Sequence, residues 1–174
     1  MLHAIALSVV LHMSNAAGVP APVLEDAQRE VVRMYRGIGV EMEWHRPATA
    51  YPADAEIIRV ILIPYETGDL RRRPKAVMGA AMRTEQGTRL AYVFPGQVER
   101  QADHFGVSRT LVLACAMAHE IAHLLLPGSD HSSLGLMRAC WDRDDFVSAE
   151  RGQLRFSAEE AALLRGRAGV TAAY

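Results

Sequence analysis

The chain reads as one α+β domain spanning residues 1–174. We expect a twisted, mixed sheet of about five strands with a backing helix, a second helix buried along its length, and a third near the C-terminus. Three observations carry this expectation. Short apolar segments, some alternating with period two, recur through the first hundred residues between Gly and Pro punctuation. Residues 23–36 repeat their apolar positions at helical spacing. Residues 109–126 are apolar almost all the way round, as suits a helix enclosed by protein. A length of 174 residues fits one core, and the sequence shows no internal repeat or low-complexity segment that would suggest a solenoid.

Residues 1–13 are mostly apolar, but they lack the basic start of a secretory signal and are interrupted by Ser8 and His12. A strand followed by a turn at Gly18-Val19-Pro20 is therefore expected there. The small residues near Asn15-Ala16-Ala17 keep export open, so the compartment stays unassigned. Val23, Leu24, Ala27, Val31, Met34 and Tyr35 form the apolar stripe of the first helix, which Gly37 and Gly39 end. Val40, Met42 and Trp44 alternate with Glu41, Glu43 and His45, a strand with one wet face. Residues 57–64 form an apolar run broken by Arg59, expected to be a central strand covered on both faces.

A charged loop is expected at 67–75. Residues 76–83 and 89–94 then flank Glu85-Gln86-Gly87-Thr88 as a hairpin closed by Pro95 and Gly96. Residues 97–105 read as a short helix or loop. Ser108 is a plausible N-cap for the apolar helix at 109–126, and Pro127 with Gly128 stops it. An Asp-rich stretch (Asp142, Asp144, Asp145) precedes a last helix that starts at Ser157, with Glu159 and Glu160 in its first turn.

Composition excludes some classes of function. The net charge is -1, and the tight basic run Arg71, Arg72, Arg73 reads as a solvated loop, so nucleic acid is not an expected partner. No run approaches the ~18 apolar residues of a membrane span. Cys115 and Cys140 are too few for a disulfide framework and lack the spacing of a thiolate zinc site; buried free thiols are expected, with pairing between them left open.

The chemistry concentrates in His119-Glu120-Ile121-Ala122-His123, an H-E-x-x-H motif. On a helix, positions i and i+4 share a face, so both imidazoles can reach one ion, while Glu120 is placed to accept a proton from water as general base. The two histidines and the glutamate are the strongly polar groups of an otherwise apolar helix. Burying them without partners would cost roughly 1–3 kcal/mol each. A catalytic zinc takes three protein ligands and leaves one position open. His131 is our choice for the third, because Pro127 and Gly128 allow the chain to turn back. Asp130 is the immediate rival; Asp142, Asp144, Asp145 and Glu150 are weaker ones. Tyr92, His104 and Arg138 are candidates for an additional oxyanion donor.

Residues 119–137 resemble the metzincin branch of the zincin metallopeptidases. There the motif H-E-x-x-H-x-x-G-x-x-H supplies three histidines, and a methionine in a downstream turn lies beneath the metal. Gly128-Ser129-Asp130-His131 matches the G-x-x-H half, with two extra residues after His123, giving H-E-x-x-H-x7-H. Leu134-Gly135-Leu136-Met137 is similar to the Met-turn, placed unusually close to the third histidine. The stretch through Trp141 is also similar to compact bacterial metzincin-like proteins. The resemblance implies a zincin-like fold, one catalytic zinc and peptide-bond hydrolysis. It further implies that residues 76–83 form an antiparallel edge strand above the cleft, able to hold an extended peptide by strand addition. Met137 and Trp141 are expected to pack in the core. Two alternatives stay open: a metal-binding zincin-like module without peptidase activity, and a zinc hydrolase of a non-peptide amide or ester.

Overall fold

The structure, a computed structural model, describes residues 9–45, 55–64, 77–126, 128 and 131–167. Its elements run β1 (Val9–Asn15), α1 (Ala21–Arg36), β2 (Met42–Trp44), β3 (Glu56–Leu62), β4 (Gly79–Arg83), β5 (Arg89–Val93), α2 (Pro95–Phe105), α3 (Arg109–Leu125), α4 (Arg143–Glu150) and α5 (Ala158–Arg167). The architecture is α+β around a mixed five-stranded sheet, in the order β2-β1-β3-β5-β4. β1 pairs in parallel with β2 and β3, and β3 with β5, while β4 runs antiparallel to β5 at the sheet edge.

The core lies between the sheet and the helices. Val9 and Leu11, Ile58, Val60 and Leu62, and Ala91 and Val93 alternate along β1, β3 and β5 and are fully buried. α1 meets this layer through Ala27, Val31 and Tyr35, spaced by one helical turn each. The Tyr35 hydroxyl donates to the Ala118 carbonyl at 2.8 Å, tying α1 to the middle of α3. Burial there pushes the phenol well above its usual ionisation range. α3 packs on α1, α2, β4 and β5, and its buried residues include Val112 through Ala122, as expected for a helix with no wet face.

Several expectations are corrected. β3 is not covered on both faces: Ile57 is 36% exposed and Arg59 is exposed, while Ile58, Val60 and Leu62 face the helices. The apolar run reflects β-branched residues on a partly wet face, which favour a strand without being buried. The segment read as a short helix or loop from 97 is a regular helix from Pro95. Proline suits its first turn, where the missing N–H would have no helical partner. The Asp-rich stretch, left without an element, holds α4. Asp142 caps that helix by accepting from the amides of Asp144 and Asp145, and Asp145 completes a capping box. Cys140 is exposed rather than buried, and both cysteines are free thiols.

The expected hairpin forms as β4 and β5, closed by bonds between Thr84 and Thr88 and by Gly87 at positive φ. α5 follows Ser157 as expected. No described helix is long and apolar enough to cross a membrane. The loop at 67–75 with its arginine run, Pro127 and Asp130 lie outside the described residues.

Candidate metal centre

α3 begins at Ser108, whose hydroxyl accepts from the Leu111 amide at 3.3 Å. It carries His119 and Glu120 into the interior, each only 7% exposed. His123 follows one turn later and is half-buried. Beyond Leu126, Gly128 has a φ of 80°, accessible to glycine without steric cost, and the exposed His131 lies beside the other two histidines. The three histidines converge. Nε2 of His123 stands 2.9 Å from Nε2 of His119 and 3.3 Å from Nε2 of His131, and the donor atoms of all three lie within 4.8 Å of one another.

His119 is oriented from behind. Its Nδ1 lies 2.8 Å from the Leu136 carbonyl, which can only accept, so the proton sits on Nδ1 and the Nε2 lone pair faces the other rings. Burial pushes the ring's pKa down to about 4, outweighing the opposing pull of that bond, so the imidazole is neutral at neutral pH. Trp141 packs edge-on against His119 at 5.4 Å between ring centroids, and Met137 is buried in the same turn.

The donor set suits a zinc ion. Zinc–nitrogen bonds of about 2.0–2.1 Å at tetrahedral angles put neighbouring nitrogens about 3.3 Å apart. The 3.3 Å between His123 and His131 matches this, the 2.9 Å between His123 and His119 is shorter, and neutral imidazoles are the form that ligates. Among the described residues no carboxylate joins the group. Asp142 and Asp145 cap α4 and bind Arg138, while Asp144 and Glu150 are exposed on that helix.

The turn carrying His131 is held at several points. The Ser132 amide donates to the Met137 carbonyl, and the Leu136 amide donates to the Arg155 carbonyl at 3.0 Å. The Ser132 hydroxyl donates to Glu160, a buried carboxylate on α5 that also accepts from the Ser157 amide at 2.7 Å. Glu160 thus joins the cap of α5 to the loop of the third histidine.

The histidines and Glu120 open onto a cleft of about 460 Å³ walled on one side by β4 and on another by Arg138 and Trp141. Of the oxyanion candidates, only Arg138 lines the cleft, and its guanidinium already engages Asp142 and Asp145. Tyr92 alternates with the buried Ala91 and Val93, so its side chain lies on the sheet face away from α3. His104 packs edge-on against Phe105 and does not line the cleft.

Sequence reading missed three contributors. The Leu136 carbonyl has no side-chain signature. Glu160 was legible only as a helix start, although Ser157-x-x-Glu160 is a capping-box pattern. Gly79 was read as an ordinary strand position, whereas glycine inside a strand marks a close approach of neighbours. Compared with models of known families and with curated proteins, the chain matches none.

Proposed function

We propose that the protein is a zinc-dependent peptidase of the metzincin-like type, with zinc on His119, His123 and His131 and Glu120 as general base. The observation that carries this reading is the convergence of three imidazole nitrogens beside Glu120 at the wall of an open cleft. A structural zinc site normally closes with four protein ligands, whereas three donors gather here among the described residues.

Zinc bound there supplies Lewis acidity, polarising a carbonyl and lowering the pKa of water towards about 7. The chain's own residues do the rest. Glu120 takes the proton of the attacking water and returns it to the departing amine. The Leu136 carbonyl fixes the tautomer of His119, and Glu160 steadies the loop of His131 through Ser132. β4, the antiparallel edge strand, offers its outer backbone edge to an extended peptide.

Elemental analysis of the wild type and of His131→Ala, purified without chelators, tests the metal. About one zinc per chain, lost in the variant, is expected. Zinc retained by His131→Ala would move the third ligand to a carboxylate, and no zinc in the wild type even after its addition would sink the reading. A peptide library tests the reaction: cleavage by the wild type and none by Glu120→Ala, with zinc retained, is the expected pair. Zinc without any cleavage would leave a metal-binding module or a hydrolase of other amides or esters.

A further inference from the structure

Gly79, Ala81 and Arg83 fall on one face of β4, because alternate residues of a strand share a face. That face looks onto α3. Gly79 sits against the Glu120 side chain, and Arg83 reaches the Leu124 carbonyl one helical turn further on. The row therefore runs along the cleft from the proposed general base to the end of α3, about 13 Å at the ~3.3 Å rise of a strand.

The charges along this wall are unequal. Arg138 is neutralised by two carboxylates, Asp142 and Asp145. Arg83 is exposed, lines the cleft, and has no carboxylate within ion-pair distance among the described residues. Its one hydrogen-bond partner among the described residues is a backbone carbonyl, while a guanidinium offers five N–H donors in a planar fork that matches a carboxylate.

We propose that Arg83 is a binding group for a substrate carboxylate, and that the preferred peptides carry an acidic group on the side of the scissile bond that lies along β4 towards the Thr84–Thr88 turn. This rests on the peptidase reading and names its substrate class. The carboxylate comes either from an acidic side chain or from the peptide's own C-terminus; both present the same fork-shaped acceptor. The plain competing role is a cap: a cation near the C-terminus of α3 is favourable to the helix whatever the ligand.

Binding and cleavage are measured separately. Binding uses the full-length, zinc-loaded protein in a Glu120→Gln background, so that peptides are not turned over. The probes are a fluorescent peptide with an internal Glu scanned along its length, the same peptides with Gln, and a neutral peptide ending in a free carboxylate or an amide. With Arg83 present, one acidic peptide should bind about tenfold tighter than its neutral twin. Arg83→Gln should erase that difference and leave the neutral peptide's affinity unchanged. Arg83→Lys, which keeps the charge without the fork, should retain part of it and serves if Arg83→Gln fails to fold. The Glu/Gln and acid/amide pairs identify the source of the carboxylate. Equal binding of acidic and neutral peptides, a preference that survives Arg83→Gln, or an equal loss for every peptide would overturn the proposal, the last pointing to a cap alone. Cleavage by protein with Glu120 intact is scored apart. An Arg83-dependent preference without cleavage would sink the peptidase reading and leave the carboxylate site standing.

Discussion

Gly79 and Glu120 are packed so closely that a Cβ on Gly79 would stand 2.6 Å from Cγ and 2.7 Å from Oε1 of the glutamate. The edge strand and the proposed general base thus share one space, and the missing side chain of one sets the position of the other. The same Cβ would meet the Tyr92 carbonyl at 2.7 Å, so relief by rotating Glu120 alone is not enough. Gly79→Ala should shift β4 and displace the carboxylate. We expect a loss of peptide cleavage on the order of 100-fold, since small misplacements at a reacting centre have effects of that size. Zinc content should stay at the wild-type level, because the atoms nearest such a Cβ belong to Glu120 and Tyr92 rather than to the proposed ligand histidines. Equal loss of zinc and cleavage would show that Gly79 supports the fold rather than Glu120.

Glu160 lies on α5 yet holds Ser132, the neighbour of His131. Removing it in Glu160→Ala should loosen the proposed third ligand and weaken zinc affinity by up to about 10-fold, the low end of the effect of losing a group bonded directly to a ligand, because Glu160 acts through Ser132. Competition with a chromophoric chelator measures this directly. Glu160→Gln keeps an acceptor for Ser132 and should fall between the two. Unchanged affinity in Glu160→Ala would confine the residue to capping α5.

Gly135 has a φ of 75°, and a Cβ there would collide with the Arg155 carbonyl. Its neighbour Leu136 supplies the carbonyl that orients His119. Gly135→Ala should therefore cost about 1–3 kcal/mol of stability through backbone strain and should also lower zinc affinity. Urea unfolding of the metal-free and zinc-loaded forms separates the two effects: a deficit larger in the loaded form is expected.

Burial pushes the Cys115 thiol up from its ordinary 9.0 to about 12. Between those values the unfolded chain gives up its thiol proton while the folded chain keeps it. The unfolded state then binds fewer protons, and stability falls as pH rises, by up to about 1.4 kcal/mol per pH unit from this group. The contribution is fully present below pH 9.0 and is lost towards about 12. Denaturant midpoints measured across that window should decline less steeply in Cys115→Ala. Tyr35, also raised by burial, adds a slope of the same sign at the alkaline end. In the native protein a thiol reagent should modify the exposed Cys140 and spare Cys115 until unfolding; labelling of both in the native state would contradict the burial.

What could be read in advance was what is local. The apolar periphery of α3, the H-E-x-x-H spacing and the Glu85–Thr88 turn each sit within a few residues, so periodicity and turn chemistry expose them. His131 was legible because a glycine permits the reversal that returns it. The face of β3 was misread because Ile57 and Ile61 have the same strand propensity whether wet or dry, and only the one-sided packing of the helices decides. α4 was missed because Asp142 and Asp145 were weighed as ligands, while their local role is to cap a helix. The contacts of Gly79 with Glu120, Arg83 with Leu124 and Glu160 with Ser132 join segments far apart in the chain. No spacing announces them.

The Ser132–Glu160 bond spans 28 positions, and this separation also orders events in time. At a synthesis rate of about 5–20 residues per second, roughly 1–6 s pass between making His131 and making the residue that steadies it. Until Glu160 has been made, the loop of His131 lacks the Ser132 contact that anchors it in the folded protein. If the three histidines hold zinc as proposed, tight loading of the ion would follow the making of α5, and a chain truncated before Glu160 should show weak metal retention as well as a shortened fold.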